Sequence, residues 1–263
     1  MSAEDPRPAV TDGGDRVETA VVDRVLVITM VRHAKRNAID GEMTGALDAA
    51  LNRLEDDPEL WAGILTGGPD MFCAGTDMAA TSGPPTERGG VYGVVGRTRT
   101  KPLIAAVEGV AYGGGFEVVM ACDLVVAAET ARFGLPEVKR GLVATSGALF
   151  RAARVLPLNV AKELLFTGRD LLPDEAARLG LVNRVTPTGG ALTAAEELAA
   201  TIIANAPIPV QQSLQVVEAL ASHDDERGWE LTRQARRVIG ESADAEEGVA
   251  AFFEKRPPRW TGR

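Results

Sequence analysis

The segment KPLIAAVEGVAYGGGFE, from Lys101 to Glu117, constrains this chain more than any other. Leu103 to Val107 is an unbroken apolar run of strand length, and an apolar stretch starting near Gly114 reads as a helix, with Gly113, Gly114 and Gly115 at the junction. Glycines let a backbone turn tightly and approach a ligand closely, and the unpaired N–H groups of a helix start point towards negative charge. A strand that feeds a helix in this way offers a place to hold an anion or a developing oxyanion.

Three readings compete for those glycines. A dinucleotide-binding turn needs Gly-x-Gly-x-x-Gly, and Val118 stands where the last glycine should be. A plain packing turn needs nothing further. A catalytic turn is favoured by Glu117, whose neighbours Phe116, Val118, Val119, Met120 and Ala121 are all apolar, so that its carboxylate is expected to be partly buried. A glutamate there could simply complement the helix dipole, but desolvation raises a carboxyl pKa towards neutrality, where a general acid or base works best.

The rest of the chain reads as strands and helices around this segment. Val17 to Val22 and Val25 to Met30, separated by Asp23-Arg24, predict a hairpin. Apolar residues at three- and four-residue steps predict a helix over 41–57, and Trp61 to Thr66 a short strand. Gly67 to Gly90 holds six Gly and three Pro, so it is expected to be a loop, mobile around Thr81 to Gly90. Leu124 to Ala128 is a second buried strand. Helices are expected near 158–166, 173–179, 192–205, 210–220, 227–239 and 245–255, and Pro207 and Pro209 suggest a boundary near residue 205. Met1 to Arg16 mixes Asp, Glu, Pro and Gly without an apolar core and reads as a disordered tail rather than a signal peptide. The organisation is therefore a tail over 1–16, a mixed core over 17–205 and a helical region over 206–263.

Composition narrows the function classes. A net charge of −9, with no Lys/Arg cluster longer than a dipeptide, argues against nucleic acid and anionic membranes, which need a contiguous basic surface. Glu108, Glu117 and Asp123 interrupt the apolar run from Leu103 to Ala128, which makes a membrane span improbable. Cys73 and Cys122 lie too far apart in sequence for a metal or redox motif, and they fit a reduced, cytoplasmic chain. Ser146 lacks a nucleophile elbow, and His33 and His223 are the only histidines, so a serine hydrolase triad has little support. Cys73 is expected to be a core residue. Asp77 is expected to cap a turn, and Asp123 to be structural.

Six motifs, in this order and spacing, resemble the enoyl-CoA hydratase/isomerase, or crotonase, superfamily from about Val25 to the C-terminus. They are Lys35-Arg36-Asn37-Ala38, Phe72-Cys73-Ala74-Gly75-Thr76-Asp77, the Lys101 to Asp123 segment, Ala131 to Gly141, Thr167-Gly168 and Gly180-Leu181-Val182. The resemblance implies an α/β fold, a spiral of repeated strand-strand-helix units followed by a helical trimerisation region. It implies that the backbone N–H groups of Thr76 and Gly114 hold a thioester carbonyl, with Gly113, Ala74, Gly75, Asp77 and Met78 lining the same site. It implies further that Glu117 deprotonates a water that attacks C3 of a 2-enoyl-CoA while Glu137 protonates C2.

Arg32, Lys35, Arg36, Asn37 and Ala38 resemble the loop that wraps coenzyme A, although three basic residues on one loop could equally be solvated surface charge. Phe252 and Lys255 resemble residues that complete the coenzyme site from a neighbouring subunit, which implies a homotrimer or a dimer of trimers. Coenzyme A is part of the substrate, and neither a metal nor a separate cofactor is expected. Two glutamates favour hydration over isomerisation or thioester hydrolysis by the same fold, while Thr145, where many hydratases have glycine, leaves open altered water placement or a non-catalytic acyl-CoA-binding protein.

Overall fold

The computed structural model describes residues 16–262. The expected tail therefore lies outside the described residues except for Arg16, which is anchored: its guanidinium pairs with Asp40 and Glu42, and its carbonyl accepts from Val31 N–H.

Two sheets carry the site. In the larger, β1 (Val17–Val22) and β2 (Val25–Met30) form the expected antiparallel hairpin. Parallel to β2 run β3 (Ala62–Thr66), β4 (Leu103–Val107), β6 (Leu124–Ala128) and β9 (Arg184–Thr186), in the order β1-β2-β3-β4-β6-β9. The smaller sheet contains β5 (Val110–Tyr112), β7 (Arg132–Gly134) and β8 (Asp170–Leu171). Chain connections alternate between the sheets, with β4 in the larger leading directly to β5 in the smaller, and β6 to β7.

Alternation along the central strands explains why they read as apolar runs. Leu26, Ile28, Leu65, Ala105 and Val107 face one apolar cluster, and Val25, Val27, Ile64, Ile104 and Ala106 face another. A parallel sheet buried on both faces needs apolar side chains at successive positions. The first cluster is closed by α1 (Gly41–Asp56), whose Met43, Leu47, Leu51 and Leu54 are fully or almost fully buried. Asp40 caps α1 by accepting from Met43 N–H at 2.9 Å. The second is closed by α6 (Ala191–Ile203), which approaches closely through Ala191, Ala195 and Ala199.

The remaining helices are α2 (Gly114–Val119), α3 (Ala148–Val155), α4 (Leu158–Thr167), α5 (Pro173–Arg178), α7 (Pro207–Ala221), α8 (Asp225–Gly240) and α9 (Ala243–Glu254). Sequence periodicity did not indicate α3. Nor did it place the start of α7, since Pro207 opens that helix instead of preceding it, as proline can in a first turn where its missing N–H leaves no bond unmade.

The glycine-rich loop after β3 is more constrained than its composition implies. Thr86 and Gly90 exchange backbone hydrogen bonds, Thr86 Oγ1 donates to Asp48 at 2.7 Å, and Arg88 pairs with Asp56, which ties the stretch expected to be mobile onto α1.

Candidate active site

Two chain segments meet where β5 gives way to α2. Ile39 N–H donates to Gly75 O and Asp77 N–H to Ile39 O, a parallel bridge that leaves the intervening N–H of Thr76 directed away from it. Cys73 bridges Ala111 in the same way and brings this loop against β5. Gly75 has φ +101°, and a Cβ there would lie 2.8 Å from Tyr112 O and 3.2 Å from Gly114 N. Only glycine lets the two strands come this close. The N–H groups of Thr76 and Gly114 therefore lie side by side, and among the described residues neither is donated to an acceptor of the chain.

Glu117 sits in the first turn of α2 and is 2% exposed. Its Oε1 accepts from Ser146 N–H at 2.7 Å and Ala148 N–H at 3.0 Å, at the start of α3. Burial, then the nearby charge of Glu137, push its carboxyl up to about 8 against the pull of those two donors. Glu137 lies in the 3-10 turn Pro136–Arg140. Burial pushes it up to about 7, opposed by its own backbone N–H and by Arg140, and its buried Oε2 has no partner. A Cβ on Gly113 would come within 3.0 Å of Glu137 Oε1, so this carboxylate reaches the same glycine turn. Two carboxyl groups that both titrate near neutrality, beside two converging N–H groups, can move protons on either side of a bound carbonyl compound.

The departure around Thr145 has a structural consequence. The 144–148 stretch still serves Glu117, because the N–H groups of Ser146 and Ala148 fix one of its oxygens, and Thr145 itself is half-buried.

Two side chains of this site had no role in it from the sequence: Tyr92 was not singled out, and Ser146 was weighed only as a nucleophile. Tyr92 is buried, and its hydroxyl lies 2.6 Å from Thr76 Oγ1. Buried Ser146 gives its backbone N–H to Glu117, and its hydroxyl lies near both Tyr92 and Glu117. An aromatic residue inside the run Gly89-Gly90-Val91-Tyr92-Gly93 was the available signal.

The loop 32–38 divides into two kinds of residue. Lys35 and Arg36 are exposed. Arg32, expected to contact the coenzyme, is instead engaged within the chain: it pairs with Asp40 at 3.1 Å and Asp77 at 2.7 Å and donates to Ala38 O. It clamps this loop to the one carrying Thr76. Asp77 also caps its own turn by accepting from Ala79 and Ala80 N–H. Ala74 and Met78, on either side of the Gly75 to Asp77 bridge, are half-buried.

Asn37 is fully buried, and its amide donates to Gly67, Met71 and Phe72 carbonyls. Replacing Asn37 by Ala leaves those carbonyls unpaired and is expected to cost about 1–3 kcal/mol of stability, read from chemical denaturation of the two proteins.

Phe252 and Lys255 stand at the end of α9 and gather around the turn that carries Glu137 in their own chain. With Pro136, Lys139, Arg140 and Arg256 they line a cavity of about 290 Å³, and the Arg140 guanidinium lies 4.9 Å from the Phe252 ring centroid. Their assignment from sequence invoked a neighbouring subunit; here both meet the Glu137 turn within one chain. Cys73 and Asp123 are structural. Burial pushes the Cys73 thiol up to about 12, and Asp123 pairs with Arg99 and accepts from Leu103 N–H.

Known proteins resemble this chain in sequence and fold. The model of the enoyl-CoA hydratase/isomerase family matches residues 21–263. An enoyl-CoA hydratase of Mycobacterium tuberculosis is 40% identical over 257 residues, covering 93% of this chain and 97% of that one. A carnitinyl-CoA dehydratase of Salmonella typhi is 39% identical over 250 residues, covering 91% and 95%. The crystal structure of a carnitinyl-CoA hydratase from Mycobacterium avium superposes with a TM-score of 0.90 at 40% identity, covering 96% of this chain and 100% of that one. With its family model matched nearly end to end and its fold shared, the chain belongs to the enoyl-CoA hydratase/isomerase family of the crotonase superfamily.

Proposed function

We propose that this protein is a hydratase that adds water reversibly across the double bond of a 2-enoyl-CoA to give a 3-hydroxyacyl-CoA. The observation that carries the proposal is the pair of buried carboxyl groups, Glu117 and Glu137, both raised towards neutrality beside the N–H groups of Thr76 and Gly114. Hydration needs one group to take a proton and another to give one across the same double bond. An isomerase can shuttle a single proton with one carboxylate.

In the forward direction Glu117 removes a proton from water as its oxygen bonds to C3. The electron pair of the double bond moves to the thioester oxygen, where the two N–H groups stabilise it; one such donor is worth about 2.7–4 kcal/mol at the transition state. Glu137 then delivers its proton to C2. Because Glu117 Oε1 is occupied by two N–H donors, the proton it exchanges sits on Oε2. Of its two singly protonated forms, the resting pair favours the one with the proton on Glu117, the form from which water loss begins: Glu137 takes the C2 proton and Glu117 protonates the departing hydroxyl. Both forms carry the same total charge, so both directions share one pH dependence.

A bell-shaped profile of kcat/KM is therefore expected, its limbs near the apparent values of the pair, about 7 and about 8. Below the lower limb both carboxyls are protonated, and above the upper limb neither is. Loss of the conjugated-thioester absorbance, followed from acid to alkaline pH over enoyl-CoAs of graded length, tests both the activity and the pair. No turnover of any of them would refute the hydratase reading, and a flat profile would refute the two-carboxylate mechanism.

Exposed Lys35 and Arg36, the loop clamped by Arg32, and the basic cavity at Phe252 and Lys255 support the binding of coenzyme A as part of the substrate. This chemistry asks for neither a metal nor a separate cofactor. Exposed Ile208, Val216, Val217, Leu220, Leu231 and Val238 on α7 and α8 support a homotrimer or a dimer of trimers. Among the described residues no helix is long and apolar enough to cross a membrane. With two unpaired cysteines, the reading places the enzyme in the cytoplasm.

A further inference from the structure

We propose that Tyr92 determines substrate specificity: its ring ends the acyl pocket after a short chain. This rests on the acyl-CoA reading above. Tyr92 touches the residues that supply both oxyanion donors. A methyl group added to Gly114 would strike its hydroxyl, Cζ and Cε2, so the ring lies against the α-carbon of one oxyanion donor. Its hydroxyl meets Thr76 Oγ1 on the residue that supplies the other donor. An acyl chain whose thioester oxygen sits between Thr76 and Gly114, and whose C3 faces Glu117, has Tyr92 alongside the reacting carbons. A chain continuing beyond them has to pass the ring.

The position is built to hold. Tyr92 has φ +60°, a conformation that bulky residues avoid and that persists where the surroundings over-determine it. Gly93 packs so tightly on Thr44 and Asp48 of α1 that it has no room for a side chain. Arg97 donates to Asn52 at 2.8 Å and to Asp48, and Val94 and Val95 are each 1% exposed. A ring held this firmly is a wall rather than a flexible cover.

The test compares wild type with Tyr92→Ala and Tyr92→Phe, using calorimetric binding of butanoyl- and octanoyl-CoA together with hydration kinetics. Wild type is expected to prefer butanoyl-CoA, and Tyr92→Ala to move the ratio towards octanoyl-CoA by about tenfold or more. Tyr92→Phe should keep the length preference, because the ring remains in place. Tyr92→Leu replaces the Ala variant if the latter does not fold, with the same direction of change. An unchanged length ratio on opening the site, or loss of the short-chain preference in Tyr92→Phe, overturns the wall. Failure of wild type to bind any acyl-CoA would instead refute the functional reading on which the wall depends.

Discussion

Replacing Glu117 by Gln is expected to lower hydration about 10²- to 10⁴-fold while making the folded protein harder to unfold at alkaline pH. The two effects have one cause. Glu117 is buried among Phe116, Val118 and Val119, and its pKa rises from 4.5 in an unfolded chain to about 8 in the fold. Between those values the unfolded chain has released the proton and the folded chain still holds it. Stability therefore falls as pH rises across that window, by about 1.4 kcal/mol per unit, and levels off above about 8.

Glutamine carries no charge to desolvate. Its carbonyl oxygen can still accept from Ser146 and Ala148 N–H, and its amide can donate to the Ser146 hydroxyl. Thermal melts at acid and alkaline pH should therefore show the variant gaining on wild type by roughly 2–5 kcal/mol at the alkaline end. Equal melting behaviour of the two proteins at both pH values would mean that Glu117 is not held protonated by the fold. Glu137→Gln should lose activity to a similar degree with a smaller stability gain, since Glu137 is less buried and less shifted.

Gly75→Ala should disable the enzyme without touching an ionisable group. At φ +101° an alanine is strained, and its Cβ would press on Tyr112 O and on Gly114 N, the nitrogen of one oxyanion donor. Relief requires the Thr76 strand to move away from α2, which separates the two N–H groups. A displacement of about 1 Å at a reacting group costs on the order of 10²-fold in rate, and the strain costs about 1–3 kcal/mol of stability. Steady-state kinetics with a saturated acyl-CoA as competitive inhibitor reads the two consequences apart: kcat should fall much further than inhibitor affinity. Wild-type kcat would contradict the placement of the oxyanion donors.

How much was legible in the sequence depended on whether the deciding interaction was local. The hairpin, α1, β4 and β6 were found because their apolar spacing is set by burial of that same segment. Glu117 was legible from its apolar neighbours. Its depth was not, because the donors that fix Oε1 come from Ser146 and Ala148, some thirty residues on. The pairing of Arg32 was hidden for the same reason: its partners Asp40 and Asp77 come from other segments, so a residue expected beside the coenzyme also clamps two loops together.

Tyr92 escaped because a glycine-rich loop carries no periodicity, and the contacts that fix it, to Thr76, Gly114 and α1, are all made with distant residues. α7 was shifted because Pro207 and Pro209 were read as a boundary, although a first helical turn tolerates proline.

The central claim is that Glu117 and Glu137 add water to a bound 2-enoyl-CoA. Mass spectrometry of the product formed by the wild-type protein from crotonyl-CoA in heavy-oxygen water tests it most directly. The account predicts a 3-hydroxyacyl-CoA heavier than the substrate by one labelled water, with the label on C3, and almost none from Glu117→Gln or Glu137→Gln in the same time. A product of unchanged mass, or free coenzyme A with a labelled acid, would contradict it.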